Sequence, residues 1–469
     1  MGNAVEERLI VVSSDSHAGI PKELWTEYLD PQFHDLIPSL HEDNAIYPVA
    51  TALLGRLKEA AAPFDEHWQV HRDSWDGLYD PVLRMADMDR EGVAAELIFH
   101  GDSRLGDLFH NGTNKVYPLE AWEAGAKAWN RWAADTFGFA MDRFLVTAAV
   151  GPCTDIDAAV AEVHWVADHG FTATYGPHYL THPGLPPLFD EYWEPYWRAC
   201  EERNIALVVH AGYGTEHGQV FQVIQDIYDA AAEAAGTTEV EQMLQHASAV
   251  RQESADYFTW WVNRNIGSRK PLWQLAMGGV FDRYPGLRLM LTEIRQDWIP
   301  ETLDYLDRAF EAHRADLPAK RTPSEYWHDN CLAGASFMHK IEASDDQRYR
   351  VGVDNILFGR DYPHFESTWP HTREWLQDAF HDVPDDELRQ MLGENAIRFF
   401  DLDRARLGEI AKRVGPTIGD IKVDDPHIRP ELIGNFEARG GYLKPAEGDE
   451  RIPAIEPLVD SDLALVTRG

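Results

Sequence analysis

The sequence predicts a (β/α)8 barrel, an α/β fold with helical insertions over its C-terminal mouth and a wrapping C-terminal tail. Three observations predict it. Eight short apolar runs lie between residues 8 and 361, amphipathic helical patterns separate them, and five acids and imidazoles stand at four of the eight run ends. Strands that are apolar along their whole length and alternate with helices belong to parallel sheets covered on both faces, and eight such units close into a barrel. A doubly wound open sheet shows a similar alternation, so the pattern by itself leaves that architecture open.

In chain order the runs are RLIVVSS (8–14), AAELIFH (94–100), RFLVTAAV (143–150), GFTATY (170–175), IALVVH (205–210), LRLMLTE (287–293), the poorer NCLAGAS (330–336) and NILFGRD (355–361). Helical spacing covers Leu119 to Phe137, Asp155 to Asp168 and Pro187 to Arg203. Two segments are too long for minimal barrel connections: 32–90, with Pro-rich and aromatic pieces, and 214–275, with helical runs. The second follows the fifth strand and is expected over the C-terminal mouth, as a lid or an oligomer contact. The barrel is expected to occupy residues 1–404, and the tail at 405–469, poor in long apolar runs, is expected to pack on its surface.

The chain has 469 residues, 44% hydrophobic, ample for a large core. Its 79 Asp and Glu outweigh 42 Lys and Arg, a formal net charge of -37 that repels nucleic acid and anionic membranes. No segment has the uncharged apolar length needed to span a bilayer, and the N-terminus lacks signal-peptide features, so the expected compartment is the cytoplasm. Cys153, Cys200 and Cys331 show no CxxC pattern and are expected to fill core. No GxGxxG after a strand, no GKS/T loop and no GxSxG elbow is present.

Barrel enzymes place their chemistry where strands finish. Asp15 and His17 follow the first run, His210 ends the fifth, Glu293 the sixth and Asp361 the eighth. Turn chemistry accounts for Asp but not for His, so a bound metal ion is the better reading. His100, closing the second run, is a further candidate ligand or substrate contact. His178 in YGPHY lies just past the fourth run on the same rim and is read as substrate-binding or catalytic. Arg295 and Arg360 flank the ligands and suit either a substrate carboxylate or a structural ion pair. Trp260, Trp261 and Trp273 are read as packing within the second insertion.

These residues resemble the amidohydrolase superfamily, in the branch of metal-dependent hydrolases and decarboxylases related to aminocarboxymuconate-semialdehyde decarboxylase. The resemblance rests on SDSHAGIPKELWTEYLDP, GVFDRYPGLRLMLTEIRQDWIP, GRDYPHFESTWP and GENAIRFF, and covers most of the chain. It implies a barrel with a metal bound by Asp15, His17, His210 and Asp361, with His364 orienting a ligand, and a homodimer. Two positions depart from the branch's commonest pattern of His-x-His on the first strand and a His on the sixth: Asp15 and Glu293 stand there. Glu293 with Asp15 suggests that one or two divalent ions (Zn, Mn or Fe) are held.

The expected activity is hydrolysis or decarboxylation of a small carbonyl- or carboxylate-bearing molecule, with Asp361 moving the proton and Glu293 and His178 as further catalytic candidates. A non-haem diiron monooxygenase on the same barrel is the alternative, motivated by Glu293, Asp15 and His100. A catalytically silent binding protein is a third possibility, disfavoured by the intact ligand set.

Overall fold

The computed structural model describes residues 8–44, 75–101, 108–109, 117–177, 185–211, 213, 266–335, 343–364, 367–433 and 452–467. Within them each apolar run contributes to one parallel sheet. Its strands are β1 (Val12–Ser13), β2 (His17–Ala18), β3 (Ala95–His100), β4 (Phe144–Ala148), β5 (Ala173–Tyr175), β6 (Ala206–Val209), β7 (Leu289–Thr292), β8 (Cys331–Ala335) and β9 (Ile356–Phe358). β1 and β2 both pair with β3, and the remaining strands follow in sequence order. The nine segments therefore fill eight barrel positions. The last meets the first where the Ser14 amide donates to the Phe358 carbonyl at 2.8 Å and Ser16 bridges Tyr362 in parallel. The closed alternative among the two architectures is the one observed.

Alternation along the strands separates two apolar layers. Leu97, Phe99, Tyr175, Val208, Met290 and Leu357 belong to an inner cluster, whereas Ile98, Val146, Leu207 and Leu291 pack outward against the helices. The helix Leu119–Phe137 has the bounds its pattern predicts. Asp155 caps Ile156–Asp168 by accepting from the Asp157 and Ala158 amides, and the 187–203 pattern becomes a short 3-10 turn followed by Glu194–Glu202. Phe399, Phe400, Leu407 and Ile410, from the helices Asn395–Phe400 and Arg404–Val414, join the inner cluster. They close the N-terminal end of the barrel, where the Arg288 guanidinium donates to the Phe399 carbonyl.

The poor strand material of NCLAGAS has a packing reason. A Cβ on Gly334 would stand 2.8 Å from both Ser14 Oγ and Thr292 Oγ1. At that height the barrel interior leaves no room for a side chain on β8, so β-branched residues are absent where the strand needs them least.

Parts of both insertions are described. Ile37–Asn44 and Pro81–Glu91 are helices within the first, and Ile266–Met277 is a helix that begins in the second. Residues 45–74 and 214–265, with Trp260 and Trp261, lie outside the described residues. Trp273 is buried, and its indole donates to the Asp462 carboxylate at 2.7 Å. Asp462 lies on the C-terminal helix Glu456–Val466, whose Val459 and Leu463 are buried. No helix among the described residues is long and apolar enough to cross a membrane.

Candidate metal centre

The first strand explains why Asp15 and His17 face the barrel axis. Ser13 is in register with Glu96, but His17 is in register with Phe99. Four steps on one strand oppose three on its neighbour, so one extra residue is inserted between β1 and β2, a bulge. Val12 and its partner Ala95 point inward, and so does Phe99. An unbroken strand would align residue 16 with Phe99 and turn His17 out among the helices. The bulge reverses that parity.

Serines satisfy the backbone that the bulge disrupts. Ser13 Oγ donates to the Asp15 carbonyl at 2.8 Å and Ser16 Oγ donates to the Leu97 carbonyl. The Asp361 amide donates to the Asp15 carbonyl at 3.0 Å, and the His17 amide to Tyr362 O at 2.6 Å. The second acid is thus tied directly to the first strand.

At the rim of β6, inward Ala206 and Val208 set the parity for His210. Beyond β7 and β9 the chain leaves the strand conformation: Glu293 and Asp361 have φ of 47° and 52°, left-handed values unusual for residues with a Cβ. Both acids are aimed by these local turns rather than by strand alternation.

The resulting cluster is tight and buried. His17 Nε2 lies 3.3 Å from Asp361 Oδ1 and 3.5 Å from Asp15 Oδ1. His210 Nε2 lies 3.6 Å from Asp15 Oδ1. His364 adds its Nδ1 3.0 Å from Asp361 Oδ1 and stacks on the His17 ring at a centroid distance of 4.0 Å. Two overlapping sets, Asp15–His17–His210 and His17–Asp361–His364, each place one donor atom per residue within 4.8 Å of one another. Neither ring nitrogen of His17, nor His210 Nε2, nor either carboxylate oxygen of Asp361 makes a hydrogen bond among the described residues. Buried polar atoms are seldom left this way without a ligand. Donors about 2.1 Å from one cation stand roughly 3.0–3.4 Å apart in octahedral or tetrahedral arrangements, close to the separations observed.

Electrostatics act oppositely on the two imidazoles. Burial, reinforced by His364, pushes the His17 imidazole well below its usual pKa and leaves it a neutral ligand type. Burial acts the same way on His210, but the carboxylates of Glu293 and Asp15 outweigh it and raise His210 to about 9.

Glu293 does not stand among the donor atoms. Its Oε2 lies 3.1 Å from His210 Nδ1, on the side of the ring away from the cluster. The hydrogen bond at Nδ1 is to the Ala211 carbonyl at 3.2 Å, with the Glu293 carboxylate beside it, and Nε2 is left facing Asp15. Glu293, expected from sequence as a possible bridging ligand, stands outside both donor sets, the left-handed turn after β7 delivering it beside His210 Nδ1.

His100, expected from sequence as a candidate ligand or substrate contact, is placed differently. Phe99 takes the inward position beside His17, so alternation turns the next side chain to the opposite face. At the strand end its ring sits between the inward Tyr175 and the outward Trp129, at 4.4 and 5.8 Å between centroids, outside both donor sets. Arg360 is fully buried and bonds Glu96, and Arg295 pairs with Asp297. Of the two roles open to these arginines, the structural ion pair is the one seen. His178 lies outside the described residues.

Two contributors were missed from sequence. Phe99 lies beneath the cluster, its ring 5.1 Å from that of His210 and 6.0 Å from that of His17. The other is Glu96, for which a charge inside AAELIFH was itself the signal, since buried carboxylates need partners.

A family model described as Amidohydrolase matches residues 41–402. The chain belongs to the amidohydrolase family. Among curated relatives, the gamma-resorcylate decarboxylase of Polaromonas sp. is 26% identical over 133 residues, 28% of this chain and 39% of that protein, so the alignment spans well under half of the relative. The gamma-resorcylate decarboxylase of Rhizobium sp. is 26% identical over 272 residues, 56% of this chain and 72% of that protein. Among solved structures, 5-carboxyvanillate decarboxylase from Novosphingobium aromaticivorans, complexed with manganese and 4-hydroxy-3-methoxy-5-nitrobenzoic acid, superposes with a TM-score of 0.55. It is 19% identical, over 86% of this chain and 100% of that one, and shares the fold of this amidohydrolase.

Proposed function

We propose that this amidohydrolase is a divalent-metal-dependent decarboxylase of a hydroxylated aromatic carboxylic acid. The observation that carries the reading is the set of buried, hydrogen-bond-free donor atoms on His17, His210 and Asp361, gathered with Asp15 at the C-terminal mouth of the barrel. The activity of the gamma-resorcylate decarboxylases supports the reaction, and the manganese in the carboxyvanillate enzyme supports the ion.

Asp15, His17, His210 and Asp361 would hold the ion, which supplies a Lewis acid for a substrate carboxylate and its neighbouring hydroxyl. The Ala211 carbonyl at Nδ1, with Glu293 beside it, keeps His210 Nε2 directed at the cluster. Phe99, fully buried, packs beneath the imidazoles of His17 and His210 and backs the donor cluster. Asp361 carries the proton: the ring carbon takes it, the bond to the carboxylate carbon breaks with its electron pair left on the ring, and carbon dioxide leaves. His364, 3.0 Å from Asp361 Oδ1 and 27% exposed, is placed to return a proton from solvent. The diiron oxygenase alternative is not supported, because it required Glu293 and His100 among the donors.

The test is turnover of gamma-resorcylate and 5-carboxyvanillate by manganese-loaded protein without oxygen, followed by carbon dioxide release and the decarboxylated phenol. Release of one carbon dioxide per phenol is expected. Hydrolysis of an ester or lactone with no carbon dioxide from any hydroxybenzoate would replace this reading by a hydrolytic one.

A further inference from the structure

The barrel closes where its hydrogen bonding is least regular. On one side lies the bulge between β1 and β2, and on the other Asp361 with its left-handed backbone. Yet His17 and Asp361 must stand about one ion apart for the function proposed above. Behind this seam, on the outward face of β3, sits Glu96, in register with Ser13. Its side chain and those of Arg84 and Arg360 are fully buried.

The two carboxylate oxygens are divided between the two sides. Oε1 accepts from Arg84 Nε at 2.6 Å, and Oε2 accepts from Arg360 Nε and Nη2 at 2.9 and 2.6 Å. Arg84 passes the connection to β2, its Nη1 donating to the His17 carbonyl at 2.7 Å. Arg360 immediately precedes Asp361, and its amide donates at 2.9 Å to Ser13 Oγ, which in turn donates to the Asp15 carbonyl. The Tyr362 ring lies against both guanidiniums, at 5.0 and 4.5 Å from ring centroid to Cζ. One carboxylate therefore reaches three of the four donor residues through their own backbone.

We infer that Glu96 is a positioning residue of the metal centre: acting through Arg84 and Arg360, it fixes the spacing between the chain ends that present His17 and Asp361. This rests on the metal-binding reading above. A buried ion pair is poor evidence for stability, since apolar replacement of the whole group often leaves a protein equally stable, but removing one member strands the others. The two roles separate on that ground.

Metal-free protein is titrated with manganese(II) alone, and the free ion is read by its electron paramagnetic resonance signal, with thermal unfolding measured in chelator. Glu96→Gln is expected to raise the Kd for manganese(II) roughly 10–100-fold, as for other groups that orient ligands. The combined Arg84→Met, Glu96→Leu, Arg360→Met variant, which strands no charge, is expected to recover thermal stability while keeping the raised Kd. Recovery of both, or a wild-type Kd in Glu96→Gln, would overturn the inference and leave the metal site intact. Wild-type protein that takes up no manganese(II) would overturn the proposed function and this inference with it.

Discussion

His210 concentrates what single residues contribute here. Its ring is held between Glu293 on Nδ1 and Asp15 toward Nε2, and in the metal-free protein these two acids overcome burial to raise its pKa to about 9. A metal needs the neutral ring, so it must displace that proton. Between pH 7 and 8 the apparent affinity for manganese(II) should therefore rise about tenfold per unit, flattening above pH 9. Titrations at several pH values check this. The sign for folding is opposite. With a folded value above the unfolded one of about 6.5, the protonated ring favours the folded metal-free protein below that pH, and this contribution disappears as pH rises through 9.

At the scale of elements, the strands differ in how they deliver side chains. β6 uses plain alternation, the first strand uses a bulge, and β7 and β9 end in left-handed turns. β8 contributes no donor and instead makes room, with Gly334 facing Ser14 and Thr292. Thr292 Oγ1 donates to the Ser14 carbonyl at 3.0 Å, one residue before Asp15, so this small-residue layer supports the bulge. Gly334→Ala should overpack it, costing about 1–3 kcal/mol. Thermal or urea unfolding measures the loss, and unchanged stability would mean that the layer yields more easily than its 2.8 Å contacts imply.

Across the whole molecule, two C-terminal pieces of the chain are tied to different parts of the barrel. The helices around 395–414 close the N-terminal end. The helix Glu456–Val466 instead docks on Ile266–Met277, the helix that returns from the second insertion, through Asp462 Oδ2, which accepts from Trp273 Nε1 at 2.7 Å and Gln274 Nε2 at 2.9 Å. That same helix places Ser268 Oγ 3.4 Å from the His210 carbonyl. Asp462→Ala leaves two buried donors unsatisfied and should cost about 1–3 kcal/mol each at most. Asp462→Asn, which keeps an acceptor, should lose less, and paired unfolding curves separate the two.

The eight strand positions, the helix Leu119–Phe137 and the rim positions of Asp15, His17, His210 and Asp361 were legible in the sequence, because each is written in local periodicity and in which residue ends a run. Tertiary structure decided what those residues meet. His100 is a candidate ligand or substrate contact from its position at a run end, whereas the register that gives Phe99 the inward place depends on a strand more than eighty residues away. Glu293 was read as a bridge because its type was visible, whereas the turn that sends it behind His210 was not. Glu96 looked like a stray charge in a core strand until Arg84 and Arg360 closed on it from separate parts of the chain. Periodicity is a property of neighbours in sequence, but a buried charge is stable only beside its partners in space, and those are chosen when the barrel closes.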